Sequence, residues 1–115
     1  ITIDDAREGY ALIRMTVRDD MLNGHRIAHG GMIFALADTA FAYACNSRNE
    51  SSVAQNATIS FLTPAAAGDV LIAEARETAR SGRSGVYQVS VKTREGAVIA
   101  ELTGLSRTIG GPVIN

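Results

Sequence analysis

Apolar and polar residues alternate along most of the chain, and one long segment breaks this alternation. Residues 9–18 place Ala11, Ile13, Met15 and Val17 on one face, which predicts a strand. Four later segments also alternate and are predicted as strands: 53–63, 70–79, 86–94 and 97–108. Residues typical of turns separate these segments, namely Pro64, Gly68-Asp69, the glycine-rich stretch Arg80–Gly85 and Glu95-Gly96.

The segment that breaks the alternation predicts a helix. From about Gly31 to Asn46 nearly every residue is apolar or small, and Asp38 and Thr39 are the exceptions. A helix that is apolar on all sides is typical of a buried position. We therefore predict an α+β fold in which about five antiparallel strands, the last four in a meander, wrap around one long central helix. The outer strands of this sheet leave open edges, which favour pairing with a second copy.

Composition limits the classes of function. The 115 residues are expected to form a single domain, 1–115. The formal net charge is −1, and the sequence contains no concentrated basic patch that would bind nucleic acid. No apolar run approaches the roughly 18 residues of a membrane span, and no signal peptide is evident. The one cysteine excludes an intrachain disulfide and is compatible with the cytoplasm.

The candidate chemistry begins with Asn23 and the sequence His29-Gly30-Gly31, which opens the predicted helix. Glycines let the backbone approach a ligand closely, and a helix start offers unpaired N–H groups and the positive end of its dipole. Asp38 lies two turns further on among apolar residues, where an unused carboxylate is costly. This combination suits an enzyme that polarises a carbonyl group and attacks it with water.

The spacing of Gly30 and Asp38 has a geometric consequence. The two residues are eight positions apart, which is about 12 Å along a helix. An aspartate side chain cannot span that distance to a carbon held near the Gly30 amide. If both residues act on one substrate, they must come from two chains. The spacing therefore predicts a dimer with composite sites.

Two other sites are weaker interpretations of the same residues. His25, His29 and Asp38 could suggest a metal site, but Arg26 stands where a zinc-protease helix carries glutamate, and the glycines break any helix there. We expect no metal. Cys45 as a nucleophile would need a histidine base, and His29 is about four and a half helical turns away. A buried, unreactive Cys45 is the expected alternative.

The chain resembles the hotdog-fold acyl-CoA thioesterases of phenylacetate degradation, the PaaI type. The likeness covers nearly the whole chain and is carried by Asn23, His29-Gly30-Gly31, the run 37–47, Phe61-Leu62-x-Pro64 and Arg107-x-Ile109-Gly110-Gly111. The N-terminal helix that this family usually has before its first strand is expected to be missing here. The resemblance implies an aryl-acetyl-CoA or related acyl-CoA substrate.

The resemblance also implies roles for individual residues. The Gly30 N–H would hold and polarise the thioester carbonyl, and Asp38 would act as nucleophile or general base. Asn23 and His29 would position the acyl group or the attacking water. Substrate binding would further involve the second glycine and the turn after a strand: Gly31, Arg80, Ser81, Gly82, Arg83 and Ser84. Arginine pairs well with phosphate, although a solvated turn is the alternative for this segment.

No cofactor is implied, because coenzyme A is part of the substrate. The expected assembly is a homodimer with composite sites, associated further into a homotetramer. Two other functions remain open at this point. An acyl-thioester dehydratase of the same fold would use a histidine and an acid such as His29 and Asp38. A non-catalytic acyl-CoA-binding module would keep the fold alone.

Overall fold

The computed structural model describes residues 1–112. One long helix packs on one face of a six-stranded antiparallel sheet. The strands are β1 (Thr2–Arg7), β2 (Tyr10–Thr16), β3 (Ser52–Phe61), β4 (Val70–Ser81), β5 (Ser84–Thr93) and β6 (Val98–Thr108), and the helix is α1 (Gly30–Cys45). A single 3-10 turn, Asp19–Met21, lies in the loop before α1. No helix in this range is long and apolar enough to cross a membrane.

The sheet corrects two expectations. It has six strands and not about five, because β1 pairs with β2 at one edge. The strand order is β1-β2-β4-β5-β6-β3, so the last four strands do not form a simple meander. β3 crosses over to pair with β6, with Ser52 opposite Thr108 and Phe61 opposite Ala100. The two free edges of the sheet are therefore β1 and β3.

Helix α1 packs against the sheet through one stripe of residues. The buried positions recur at helical spacing: Ile33, Leu36, Ala37, Ala40, Phe41, Ala44 and Cys45. The Phe41 ring lies against Gly104 of β6, where an added Cβ would come within 2.7 Å of the ring. The opposite face is open, and Ala35, Ala42 and Tyr43 are exposed. The expectation of a helix buried on all sides is therefore wrong for the single chain.

The C-terminal end of α1 is fixed to the sheet by a half-buried ionic cluster. Arg48 donates to Glu77 and Glu8, each at 2.7 Å, and the Tyr87 hydroxyl donates to Glu77 at 2.8 Å. Burial alone would raise the pKa of Glu77, but the hydrogen bonds from Arg48 and Tyr87 hold it below its usual value. Burial and the Glu77 charge raise the pKa of Tyr87. The cluster therefore ties the segment just after α1 to β4 and β5.

Candidate active site

A cavity of about 330 Å³ lies where the start of α1 meets the end of β3. Its walls are largely apolar, and Asn23 and Thr63 supply the polar side chains. The lining residues are Asn23, Ile27, Ala28, Gly30, Ile33, Phe61, Leu62, Thr63 and Pro64. An apolar cavity with a few polar groups at one side suits a ligand that has an apolar body and one polar reacting group.

The Gly30 N–H is the free hydrogen-bond donor at this helix start. His29 is the N-cap, and its carbonyl oxygen accepts from Met32 N–H at 2.9 Å and from Ile33 N–H at 3.3 Å. The Gly31 N–H donates to the His29 side chain at 2.9 Å. Within residues 1–112 the Gly30 N–H has no such partner. A backbone donor left free beside an apolar cavity can bind a carbonyl oxygen or a developing oxyanion.

The N-cap hydrogen bond determines which ring nitrogen of His29 carries the hydrogen when the ring is neutral. Because Nδ1 accepts from the Gly31 N–H, the neutral ring carries its hydrogen on Nε2. The exposed side of the ring can therefore donate a hydrogen bond, and Nδ1 is occupied by the helix. Within this chain His29 acts first as an N-cap that holds the first turn of α1.

The two glycines are needed for different reasons. A Cβ on Gly30 would lie 3.3 Å from Cζ of Phe61, whose ring covers this glycine. A Cβ on Gly31 would lie 3.2 Å from Nδ1 of the capping His29. Both distances are tighter than an ordinary van der Waals contact. The glycine pair therefore allows one ring to pack on the helix start and another to cap it.

Asn23 lines the same cavity from the preceding loop. Its side-chain Oδ1 accepts from the backbone N–H of His25 at 2.8 Å and of Ile27 at 3.4 Å. These bonds close the turn and occupy the oxygen. The side-chain NH2 of Asn23 has no partner among residues 1–112, so it remains available to donate to a ligand. Asn23 and Gly30 therefore line one cavity, and each has a donor without a partner among residues 1–112.

Asp38 lies on α1 outside this cavity. It is half-buried, and no cationic side chain in the part of the chain that the structure describes lies within ion-pair distance. The burial expected from its apolar neighbours is met only in part in the single chain, because Asp38 flanks the open face of α1. The structure brings Asn23, Gly30 and His29 together and leaves Asp38 apart from them.

The two other candidate sites near α1 were Cys45 as a nucleophile and a metal site. Cys45 is buried, and its burial, helped by the Asp38 charge, raises the pKa of the thiol to about 11. A thiol in this state is protonated at neutral pH and is a poor nucleophile. Among the described residues, no group of three histidine, cysteine, aspartate or glutamate side chains could hold a metal ion.

The Arg80–Gly85 segment is a tighter hairpin than the sequence indicates. Arg80 and Ser81 end β4, Ser84 begins β5, and only Gly82 and Arg83 form the loop. Arg80 faces Glu50 at 3.8 Å and Glu77 at 4.0 Å, while Arg83 is exposed. Because Ser84 pairs with Arg107, and Arg107 pairs with Val53, this hairpin lies at the opposite end of the sheet from Phe61. The cavity and the hairpin of one chain are therefore well separated.

The sequence did not identify the apolar walls of the cavity as site residues. Phe61, Leu62 and Pro64 appeared only as residues that carry a resemblance, and Ile27 and Ile33 were not singled out. Phe61 and Leu62 are large apolar residues with exposed fractions of 53% and 60%. A run of apolar residues that ends a strand before proline was the available signal, but its proximity to Gly30 depends on the tertiary fold.

Comparison with known proteins gives consistent matches. Residues 25–100 match the model of the family described as the thioesterase superfamily. The chain is 45% identical over 113 residues to the acyl-coenzyme A thioesterase PaaI of Escherichia coli, which covers 98% of this chain and 81% of that protein.

Solved structures agree with the sequence matches. The structure of E. coli PaaI, from the phenylacetic acid degradation operon, superposes with a TM-score of 0.93 over 96% of this chain and 80% of that one, at 45% identity. The TT0310 protein of Thermus thermophilus gives a TM-score of 0.89 at 36% identity, with 94% and 91% of the two chains covered. A Streptococcus mutans protein bound to acetyl CoA shares the fold, with a TM-score of 0.92 at 24% identity and coverage of 96% and 90%.

Proposed function

The chain belongs to the thioesterase superfamily, and on this premise we propose that it hydrolyses acyl-CoA thioesters, with an aryl-acetyl or related acyl group as substrate. The observation that carries the proposal is the free Gly30 N–H at the wall of an apolar cavity. An acyl group fits the apolar walls, and its thioester carbonyl meets the donor. The likeness to E. coli PaaI supports coenzyme A as the leaving thiol.

In the proposed reaction the carbonyl oxygen accepts from the Gly30 N–H, and the side-chain NH2 of Asn23 is a second donor. Both bonds strengthen as negative charge develops on that oxygen. Asp38 either attacks the carbonyl carbon and forms a mixed anhydride, or removes a proton from the attacking water. The C–S bond breaks, and the thiolate leaves and takes up a proton to give coenzyme A. In the first route water then hydrolyses the anhydride and restores Asp38, so both routes give a free acid and coenzyme A. No cofactor takes part.

The catalytic site is completed by a second chain in this proposal. Asp38 is outside the cavity that holds Gly30, and eight helical residues separate the two positions by about 12 Å. Of the two sheet edges, β1 carries Asp4, Asp5 and Arg7, which protect an edge from pairing, whereas the ten residues of β3 carry no charge. We therefore propose a homodimer through β3 and the open face of α1, and a homotetramer of such dimers.

The coenzyme A phosphates would meet the Arg80–Gly85 hairpin. This hairpin lies near the start of β3, and the cavity lies at its end, roughly 30 Å along the strand. Antiparallel pairing of two β3 strands would bring the partner's hairpin to the end that holds the cavity. Arg83 and the glycine backbone would then bind phosphate across the dimer. A cytoplasmic location completes the proposal and fits a single reduced cysteine.

The proposed activity is tested by thiol release from a panel of acyl-CoAs. We expect release of coenzyme A, with phenylacetyl-CoA among the better substrates. A dehydratase would instead convert a 3-hydroxyacyl-CoA to an enoyl product without free thiol. A non-catalytic module would bind acyl-CoA and release nothing. Thiol detection and mass spectrometry of the same reactions separate these three outcomes.

The role of the hairpin is tested by replacing Arg80 and Arg83 together with alanine. We expect KM for an acyl-CoA to rise several-fold with little change in kcat, because uniform substrate binding is lost. Acyl-pantetheine, which lacks the nucleotide, should be affected much less. Arg7→Ala, on β1 at the far edge of the sheet, removes one arginine away from the hairpin as a control. An equal loss for both substrates would assign the hairpin to structure alone.

A further inference from the structure

The strongest unassigned feature of the cavity is the ring of Phe61. Its Cζ, Cε1 and Cε2 atoms lie 3.3, 3.5 and 3.7 Å from where a Cβ on Gly30 would stand. The ring therefore packs directly on Gly30, which lines the cavity and whose N–H has no partner among residues 1–112. Phe61 is also 53% exposed, although most large apolar side chains of the sheet are buried. Neither the core nor the helix explains a phenyl ring in this position.

The backbone that carries the ring is held to β6. Phe61 pairs with Ala100 at the end of β3. The next two residues, Leu62 and Thr63, both donate their N–H to the carbonyl of buried Ile99, at 2.8 and 3.3 Å. These bonds fix the Cα position from which the half-exposed ring reaches Gly30.

We propose that Phe61 is a specificity-determining residue of the acyl site. This inference rests on the proposed thioesterase function. An acyl group whose carbonyl reaches the Gly30 N–H must pass beside the ring, because both line one cavity. The ring favours a flat aromatic group through offset or edge contact. It also limits the length of a straight chain, because the cavity of about 330 Å³ is already narrowed by this side chain.

The test compares Phe61→Ala and Phe61→Leu with the parent on phenylacetyl-CoA and decanoyl-CoA. We expect the ratio of kcat/KM for phenylacetyl-CoA over decanoyl-CoA to fall about tenfold in Phe61→Ala. Phe61→Leu should give an intermediate ratio. The matched control is Ile3→Ala, since Ile3 is also 45% exposed but lies on β1, away from β3 and from the cavity. It should leave the ratio unchanged.

Measurements of ligand binding separate the test of Phe61 from the test of catalysis. Non-hydrolysable thioethers, S-phenethyl-CoA and S-decyl-CoA, should show the same change in relative affinity. If the parent releases no thiol but the thioethers are discriminated through Phe61, the thioesterase proposal fails and the specificity role stands. If the ratio is unchanged in both assays, the role of Phe61 is overturned. An equal loss for both ligands together with dissociation of a dimer would also overturn it and assign the ring to the β3 interface.

A double-mutant cycle tests the contact itself. Gly30→Ala places a Cβ against the ring in the parent background, so it should lower kcat/KM there. In the Phe61→Ala background the obstacle is gone, and the same change should cost much less. An equal penalty in the two backgrounds would show that Phe61 does not act at the Gly30 amide.

Discussion

Asp38→Asn should lose at least about 10²-fold in kcat, while the fold and substrate binding are retained. The amide cannot act as a nucleophile in this reaction and cannot accept the proton of water. The folded chain should tolerate the change, because Asp38 is half-buried and pairs with no cation in residues 1–112. Steady-state kinetics, thermal unfolding and binding of a thioether analogue measure the three properties separately.

The control for this variant is Asp19→Asn, the same chemical change on an exposed acid in the loop before α1. It should keep the parent kcat. Near-parental turnover by Asp38→Asn would show that the carboxylate has no part in the chemistry. A loss of the folded state would instead assign Asp38 to stability, and circular dichroism would detect this.

Gly30→Pro should lower kcat by about 10²–10³-fold, because it removes the N–H proposed to bind the oxyanion. Proline is tolerated at the first position of a helix, where no helical carbonyl accepts this hydrogen. The preceding residue, His29, has φ −63° and ψ 135°, which are compatible with a following proline. The substitution is therefore expected to remove one donor and leave α1 in place.

The informative comparison is Gly30→Ala, which adds the same Cβ near Phe61 but keeps the N–H. A larger loss in the proline variant reports the missing N–H together with the Cγ and Cδ ring atoms that proline adds. Mixing Gly30→Pro chains with Asp38→Asn chains adds a test of composite sites. A hybrid dimer would contain one site with both an intact Gly30 and an intact Asp38, and activity should partly return. A verified hybrid with no recovered activity would count against sites built from two chains.

Sequence patterns predicted the main elements of the fold. The strand over 9–18, the helix over 31–46 and the four later strands all correspond to observed elements with small shifts at their ends. β1 was missed because its sequence, Thr2–Arg7, is charged and exposed on both faces, so it has no apolar alternation. The pairing of β3 with β6 was missed because alternation reports which face of a strand is buried and not which strand lies beside it.

The candidate site was predicted in part. Asn23, His29 and Gly30 could be grouped because they lie within eight residues and open a helix. The other part of the apolar wall comes from a segment some thirty positions later, and only the tertiary fold brings Phe61 to Gly30. The helix was expected to be buried all round because composition alone does not separate a side that meets the chain's own sheet from a side left open. Tyr43, with an exposed fraction of 45%, lies on that open side.

The side-chain rings of Phe61 and His29 at the start of α1 limit which residues evolution can place at positions 30 and 31. Gly30 is constrained by Phe61, and Gly31 is constrained by His29. A lineage that replaces the phenylalanine with a small residue would free position 30 to accept alanine, and position 31 would remain glycine as long as the imidazole caps the helix. Aligned sequences of this family should therefore show covariation of positions 30 and 61, and separately of positions 29 and 31.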